Sequence, residues 1–215
     1  MKITLFPLLL LISLTAGAQK DSVKAPQPIT KTYKKYTVIA TASLGFMDYN
    51  RTGYSVPSGY EKGDISGFAP FFARLEYGLS DHISIAASMC YDVYTANIRK
   101  DYTGNSGPFT LYITNQARVY SGGIIGFYHL GDYIRVPRLD PFIGLGLELN
   151  NIRYNNAPQG DTTAIVFSHP LTAYYKVGAR YYLSDQFSLY GDLGFEKEAM
   201  LTIGVSCRFR SRKLW

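Results

Sequence analysis

Apolar and polar side chains alternate residue by residue along the end of this chain. In the final run, the apolar parity consists of Leu201, Ile203, Val205, Cys207 and Phe209. The other parity consists of Thr202, Gly204, Ser206 and Arg208, and residues 175–183 repeat the alternation. A period of two is that of a β-strand, whose successive side chains point to opposite faces. Because the polar parity carries full charges, we expect that face to be wet or ion-paired.

The amino terminus has the features of an export signal. Lys2 supplies a positive charge, residues 5–14 are apolar, and residues 16–18 form a small-residue cleavage pattern. We therefore expect residues 1–18 to be a signal peptide. The alternative is an uncleaved anchor, but the apolar segment is shorter than the about 20 residues that a spanning helix needs. Residues 19–34 are polar and contain two prolines, which predicts a flexible periplasmic lead-in.

The remaining sequence favours a membrane protein built from strands. No later segment is long and apolar enough for a membrane helix, so any span must be made of strands. Strands with one apolar and one polar face are typical of a barrel in lipid, with the apolar face outside. The 19 tyrosines agree with this interpretation, since such rings favour membrane interfaces. Cys90 and Cys207 fall on opposite faces, so we expect no disulfide between them.

Eight alternating runs can be counted after the lead-in. They cover about residues 35–46, 68–79, 83–95, 112–130, 141–152, 175–183, 187–196 and 201–209. Long connections follow the first, third and fifth runs, at residues 47–67, 96–111 and 153–168. Tight turns on the periplasmic side and longer loops outside are typical of outer-membrane barrels. We therefore predict that residues 35–215 form an all-β, eight-stranded antiparallel up-and-down transmembrane β-barrel in the bacterial outer membrane.

The inward parity holds five acidic and five basic residues. They are Arg74, Glu76, Asp92, Arg118, Glu148, Lys176, Arg180, Asp192, Glu196 and Arg208. Arg118 is included although Gly122 and Gly123 interrupt the alternation of its run, where a β-bulge is one interpretation. An eight-stranded barrel is just wide enough for side chains to fill it, and unpaired charges inside it are costly. We expect an ion-paired network that plugs the lumen; the alternative is solvated charges in a water-filled interior.

The sequence gives no sign of a catalytic, metal or cofactor site. It has no Gly-rich phosphate loop, paired-cysteine motif or helical pair of metal-binding histidines, so we expect no metal and no cofactor. Ser168 and His169 are neighbours on an extended segment and would point to opposite faces, which is unsuitable for a nucleophile and its base. His129 is predicted to lie at the membrane interface. No basic run with interleaved aromatics suggests nucleic acid. We therefore predict that the protein is not an enzyme.

Several short motifs resemble those of small outer-membrane β-barrel proteins, in particular the OmpA-like eight-stranded transmembrane domain. They are the segment LDPFIGLGLE at residues 139–148, the Leu-Ser-Asp turns at 79–81 and 183–185, and an aromatic end to the last strand. The resemblance spans essentially the mature chain and marks a fold more than a function. It implies that the barrel-assembly machinery reads an aromatic residue at the end of the final strand. Phe209 and Trp215, which share one parity, are the two candidates for that assembly signal.

The leading functional hypothesis is an integral outer-membrane protein with a structural, adhesive or envelope-accessory role. Its expected partners are outer-membrane lipid, the barrel-assembly machinery and an envelope protein that binds the outer loops. One alternative is a narrow transporter or channel for small or apolar solutes. Another is an outer-membrane enzyme that modifies lipids or cleaves proteins. A soluble ligand-binding barrel is the structural rival, and it would have apolar groups inside and charges outside.

Overall fold

A computed structural model describes residues 33–48, 59–104, 107–134, 136–155, 171–195 and 198–210. The predicted signal peptide, most of the lead-in, Ser168, His169, Glu196 and Trp215 lie outside the described residues. The described strands are β1 (Thr37–Phe46), β2 (Glu61–Gly67), β3 (Phe71–Gly78), β4 (Ile83–Gly104), β5 (Gly107–His129), β6 (Leu139–Asn155), β7 (Leu171–Tyr182), β8 (Phe187–Gly194) and β9 (Leu201–Arg210). Within these ranges no helix has the length and apolar character to cross a membrane.

The strands close into an eight-stranded antiparallel barrel, which confirms the predicted fold. Neighbours along the sheet run β4-β3-β1-β9-β8-β7-β6-β5, and pairing between β4 and β5 closes the circle. The ninth strand, β2, pairs with β4 on the same side as β3 does. β3 pairs with the first part of β4, up to Tyr91, whereas β2 pairs with the later part, from Tyr94 to Arg99. β2 therefore continues the line of β3 along β4.

The two ends of the barrel differ in their connections. The short connections between β3 and β4, β5 and β6, and β7 and β8 all lie at one end, together with the start of β1 and the end of β9. We assign this end to the periplasm, because outer-membrane barrels place their tight turns there. The opposite end is then extracellular.

Side chains alternate between the lumen and the outer surface as the sequence predicted. On β9, Ser206 and Arg208 are buried inside the barrel, whereas Val205 and Phe209 are exposed on its outer face. Cys90 is buried inside and Cys207 has the outward parity, and the two form no disulfide. Exposed apolar side chains form a band around the outside. Among its members are Leu75, Ile85, Met89, Ile124, Leu145, Leu147, Val177, Leu189 and Ile203.

The prediction of a long loop at residues 96–111 is wrong. β4 and β5 continue as a hairpin until Gly104 pairs with Gly107, and β2 lies within the other predicted loop at residues 47–67. β4 extends 13 residues beyond Tyr91, the residue that pairs with the first residue of β3. At about 3.3 Å per residue, this is roughly 40 Å of strand. The hairpin and β2 together form a three-stranded extracellular sheet, which we call the projecting sheet.

The loop prediction failed because the polarity of the two faces inverts along β4 and β5. In the barrel wall the outward positions are apolar, but from Arg118 towards the hairpin tip they are polar. The inward positions change in the opposite sense. There the projecting sheet has a buried apolar cluster of Tyr94, Ala96, Ile98, Ala117 and Val119, against which β2 packs Ile65. Hydrocarbon favours an apolar outer face and water favours an apolar inner face, so the inversion marks the membrane boundary.

Paired tyrosines lie at the same boundary. The rings of Tyr91 and Tyr120 are 5.2 Å apart on the outer surface, and Tyr120 is two residues before Gly122 in the apolar band. Rings with an apolar body and a polar hydroxyl favour the level of the lipid headgroups. The hydrocarbon region therefore ends near Tyr120.

We predict that Gly204→Ala lowers the stability of the closed barrel. A Cβ at this position would overlap the carbonyl oxygen of Ala42 on the neighbouring strand β1, and such overpacking costs about 1–3 kcal/mol. The matched control is Gly191→Ala, whose Cβ would lie 3.7 Å from the nearest atom, the carbonyl oxygen of Thr202. The measurement is the gel-mobility shift on boiling over a range of temperatures. Equal resistance of the two variants to heating would contradict the prediction.

Candidate functional site

A buried ion-paired cluster lies at the periplasmic end of the lumen. Arg180 on β7 pairs with the Glu76 carboxylate on β3, and its Nη1 is 3.3 Å from Asp140 Oδ2 on β6. All three residues have an exposed fraction of 0%. β3 and β7 are four positions apart around the eight-stranded circle, so they face each other across the lumen. The Arg180–Glu76 pair therefore bridges opposite walls of the barrel.

His129, at the end of β5, joins the two carboxylates of this cluster. Its Nδ1 is 3.0 Å from Asp140 Oδ1, and its Nε2 is 3.2 Å from Glu76 Oε1. Ser84 Oγ lies 3.0 Å from the same Nε2. The ring is almost completely buried, so the prediction that His129 lies at the membrane interface is wrong. A histidine between two buried carboxylates can reduce their mutual repulsion, which stabilises the cluster.

Tyr33 covers this cluster from the periplasmic side. Its ring stacks on His129 with centroids 3.6 Å apart, and burial raises the pKa of its phenol. The strand wall makes room for it at Gly78, where a Cβ would lie 2.7 Å from the Tyr33 hydroxyl oxygen. The residue belongs to the segment predicted as a flexible lead-in. At Tyr33 that prediction is wrong, because the side chain is docked in the barrel mouth.

Ser84, His129 and Asp140 are ordered like the nucleophile, base and orienting acid of a hydrolase. However, Ser84 Oγ donates a hydrogen bond to Glu76 Oε1 at 2.9 Å, and Tyr33 covers the imidazole. Ser84 has no exposed surface. A substrate carbonyl therefore has no approach to the hydroxyl, and the geometry supports a structural role for these residues.

A second cluster lies further along the lumen around Asp192 on β8. Arg74 Nη2 and Lys176 Nζ each lie 3.6 Å from Asp192 Oδ2. Thr202 Oγ1 donates to Asp192 Oδ1 at 2.6 Å. Tyr190 donates its hydroxyl to Asp192 and accepts a hydrogen bond from Arg74 Nη1 at 2.5 Å. The cluster thus connects β3, β7, β8 and β9 through one carboxylate.

Aromatic rings fill the space between the charged groups. The Arg180 guanidinium lies 4.9 Å from the centroid of the Phe142 ring, and that of Arg74 lies 5.1 Å from the centroid of the Phe127 ring. The Phe142 ring also stacks on Tyr190, with centroids 5.8 Å apart. Cations over ring faces are attracted by the ring quadrupole, and more strongly where water is excluded. The charges are therefore packed into an aromatic interior.

Three other predicted lumen residues also lie inside the barrel. Asp92 and Glu148 are buried towards the extracellular half. Arg208 lies at the periplasmic end, where its Nε donates to the Asp185 carbonyl oxygen at 2.9 Å and its guanidinium is 4.3 Å from the Tyr182 ring centroid.

The prediction that Arg118 faces the lumen is wrong. β4 and β5 pair without a break through Gly122 and Gly123, so the two glycines form no bulge. With unbroken alternation, Val119 points inward and Arg118 is exposed on the outer face. Phe209, a candidate assembly signal, pairs with Val38 near the end of the barrel seam and is exposed to the outside.

Sequence reasoning missed Asp140, which belongs to the first cluster. It was assigned to the connection before the fifth run, but the structure places it in β6, directly opposite Arg180 on β7. Extending the alternation back from Phe142 by two residues would have found it. The position of Tyr33 had no such signal, because it depends on contacts with distant strands.

Solved outer-membrane barrels have similar structures. OprG from Pseudomonas aeruginosa aligns with a TM-score of 0.51 and 9% sequence identity, over 83% of this chain and 98% of its own. The N-terminal barrel domain of OprF from the same species aligns with a TM-score of 0.40 and 17% sequence identity, over 82% of this chain and 99% of that domain. AlkL, solved in lipid bilayers, aligns with a TM-score of 0.42 and 15% sequence identity, over 92% of this chain and 99% of AlkL. The sequence matches no established protein family and no curated protein.

The closed barrel, its apolar outer band and its enclosed charges define a class of protein. The chain has the fold of the small eight-stranded outer-membrane β-barrels. It is an outer-membrane barrel protein, with an apolar band on its outer surface and the charged network inside.

We predict that Arg180→Gln lowers the free energy of unfolding by about 3–5 kcal/mol, because it leaves two buried carboxylates without their cation. The control is Arg99→Gln, which removes an exposed ion pair with Glu61 in the projecting sheet. Surface pairs contribute little, so this variant should unfold like the original protein. The measurement is equilibrium unfolding by urea in detergent micelles. Similar stability losses in both variants would contradict a special role for the buried cluster.

Proposed function

We propose that this protein is a closed, non-enzymatic outer-membrane barrel that presents the projecting sheet as a contact surface, in an adhesive or envelope-accessory role. The observation that carries the proposal is the Arg180–Glu76 pair, which joins opposite walls at zero exposure. A lumen blocked at this level by charge pairs and packed rings is suited to holding the barrel rigid. The part of the molecule available for contact is then the extracellular sheet.

The projecting sheet is built as a stable structure in its own right. Its polar face has cross-strand hydrogen bonds from Thr110 to Asp101 at 2.7 Å and from Thr114 to Asn97 at 2.9 Å. Its opposite face has the apolar cluster, against which Ile65 of β2 packs. Neither feature is needed to cross the bilayer. A rigid sheet beyond the membrane, with the exposed ring of Tyr112 on its polar face, supports a role in surface contact.

The two alternative functions find less support in this geometry. Transport needs a continuous path, but Arg180, Arg74 and the surrounding rings occupy the lumen. An enzyme needs catalytic groups that substrate can reach. The Ser-His-Asp arrangement among the described residues is enclosed, and its serine is engaged with a carboxylate.

We predict that the purified protein gives no large, steady single-channel currents in planar lipid bilayers, because the lumen is blocked by paired charges. A general porin is the positive control. The double variant Glu76→Ala, Arg180→Ala removes both partners of the pair that bridges the lumen, so neither charge is left without the other. It should raise the frequency of small currents. Steady currents from the unmodified protein would contradict the closed lumen.

We also predict that shortening the hairpin removes contact activity but leaves the barrel intact. Residues 99–112, which include Tyr112, can be replaced by Asn-Gly, since Ile98 and Ile113 pair directly and a two-residue turn suits such a hairpin. Cells that express either form are compared for adhesion and for envelope proteins crosslinked to the barrel. The gel-mobility shift on boiling verifies that both are folded. Equal adhesion and equal crosslinks would reject the proposed role of the projecting sheet.

A further inference from the structure

An open apolar groove of about 820 Å³ runs over the lipid-facing surface of β5, β6 and β7. Its lining includes Gly122, Ile124, Gly126, Leu145, Leu147 and Leu149. The leucine and isoleucine side chains are more than half exposed. The groove therefore lies in the band that faces hydrocarbon and is separate from the lumen and from the projecting sheet.

Two glycines keep this groove open. At both positions a side chain would not collide with the neighbouring strands, so the barrel itself does not require glycine there. A Cβ at Gly122 would lie 3.7 Å from its nearest neighbour, the Ser88 carbonyl oxygen. A Cβ at Gly126 would lie 4.0 Å from its nearest neighbours, the Leu145 and Ser84 carbonyl oxygens. At the adjacent Gly123, by contrast, a Cβ would lie only 2.5 Å from the Leu147 carbonyl oxygen. Glycine weakens a strand interior and often marks the close approach of another group. The space at Gly122 and Gly126 is thus available to an external molecule.

A cation lies at the extracellular end of the groove. Arg118 is on the same strand and outward face as Gly122, four residues further towards the outside, or about 13 Å. Its guanidinium donates to Gln116 Oε1 at 3.4 Å and makes no ion pair within the described ranges. Arg153 occupies the register position opposite Arg118 on β6. Tyr120 separates Arg118 from the groove and lies at the headgroup level.

We infer that the groove and Arg118 bind a phosphorylated lipid of the outer leaflet. One acyl chain fills the space over Gly122 and Gly126, and the lipid phosphate accepts hydrogen bonds from the Arg118 guanidinium. Arginine suits phosphate because its planar fork can make two parallel hydrogen bonds. Apolar lining below and positive charge above match the two parts of such a lipid. This site is independent of the proposed role of the projecting sheet.

A second copy of the chain fits the groove less well. A symmetric dimer places the same surface patch on both subunits. Two copies meeting at this groove would therefore bring their Arg118 side chains towards one another near the membrane boundary. Like charges in such a position repel, whereas a lipid phosphate neutralises them. Charge complementarity thus favours lipid as the occupant.

Lipid retention by the full-length protein tests the inference. The protein is reconstituted in phosphatidylcholine nanodiscs that contain a small fraction of diphosphoryl lipid A, and bound lipid is counted by native mass spectrometry after release. The original protein should retain one lipid A. Gly122→Leu and Gly126→Leu should each lower its occupancy at least fivefold, because the new side chain fills the groove.

The matched control is Gly191→Leu, an outward glycine on β8 whose Cβ also has 3.7 Å of space; it should retain lipid A like the original. Arg118→Gln should lower occupancy, and Arg118→Lys should restore part of it. Folding of every variant is verified by the gel-mobility shift on boiling. Equal retention by all variants would overturn the site. A dimer that Gly122→Leu converts to a monomer, without change in bound lipid, would also overturn it in favour of a second copy.

Discussion

The guanidinium of Arg180 lies between two carboxylates that come from different walls of the barrel, and the filled interior depends on this arrangement. Removing three charges from water carries a desolvation penalty that only close pairing and further hydrogen bonds can offset. His129 and Ser84 supply those hydrogen bonds, and Tyr33 excludes water from the periplasmic side. Removing one partner would therefore leave a buried charge without its counter-charge.

The surrounding medium decides which face of each strand is apolar. Where lipid surrounds β4 and β5, polar groups such as Ser84 are inside and Ile85 beside it is outside. Where water surrounds the same pair of strands, Ile98 is inside and Arg99 is outside. The backbone alternation is continuous through this change. The β4–β5 hairpin thus lies partly in lipid and partly in water. Its backbone pairing does not change at the membrane boundary, and only the side chains do.

Much of the barrel could be predicted because alternation is a local property of the sequence. The strand count, the face of each strand in the wall and most of the enclosed charges follow from parity alone. The prediction failed at Arg118 because two glycines without side chains hid the strand phase. It failed for the hairpin because polar outward residues such as Asn97 resemble a loop when lipid is assumed outside. The cluster around Arg180 could not be predicted in detail, since its partners come from strands far apart in sequence.

Tyr33 has a consequence for the order in which the molecule forms. It lies at the start of the described chain, yet its ring stacks on His129, at the end of β5. The pocket that holds the Tyr33 side chain also requires the end of β3, where Gly78 provides the space. β4 lies between these two strands and pairs with both, so the pocket does not exist until β3, β4 and β5 have paired. Tyr33 leaves the ribosome before any of these strands, yet it can dock only after residues as distant as His129 have reached their places.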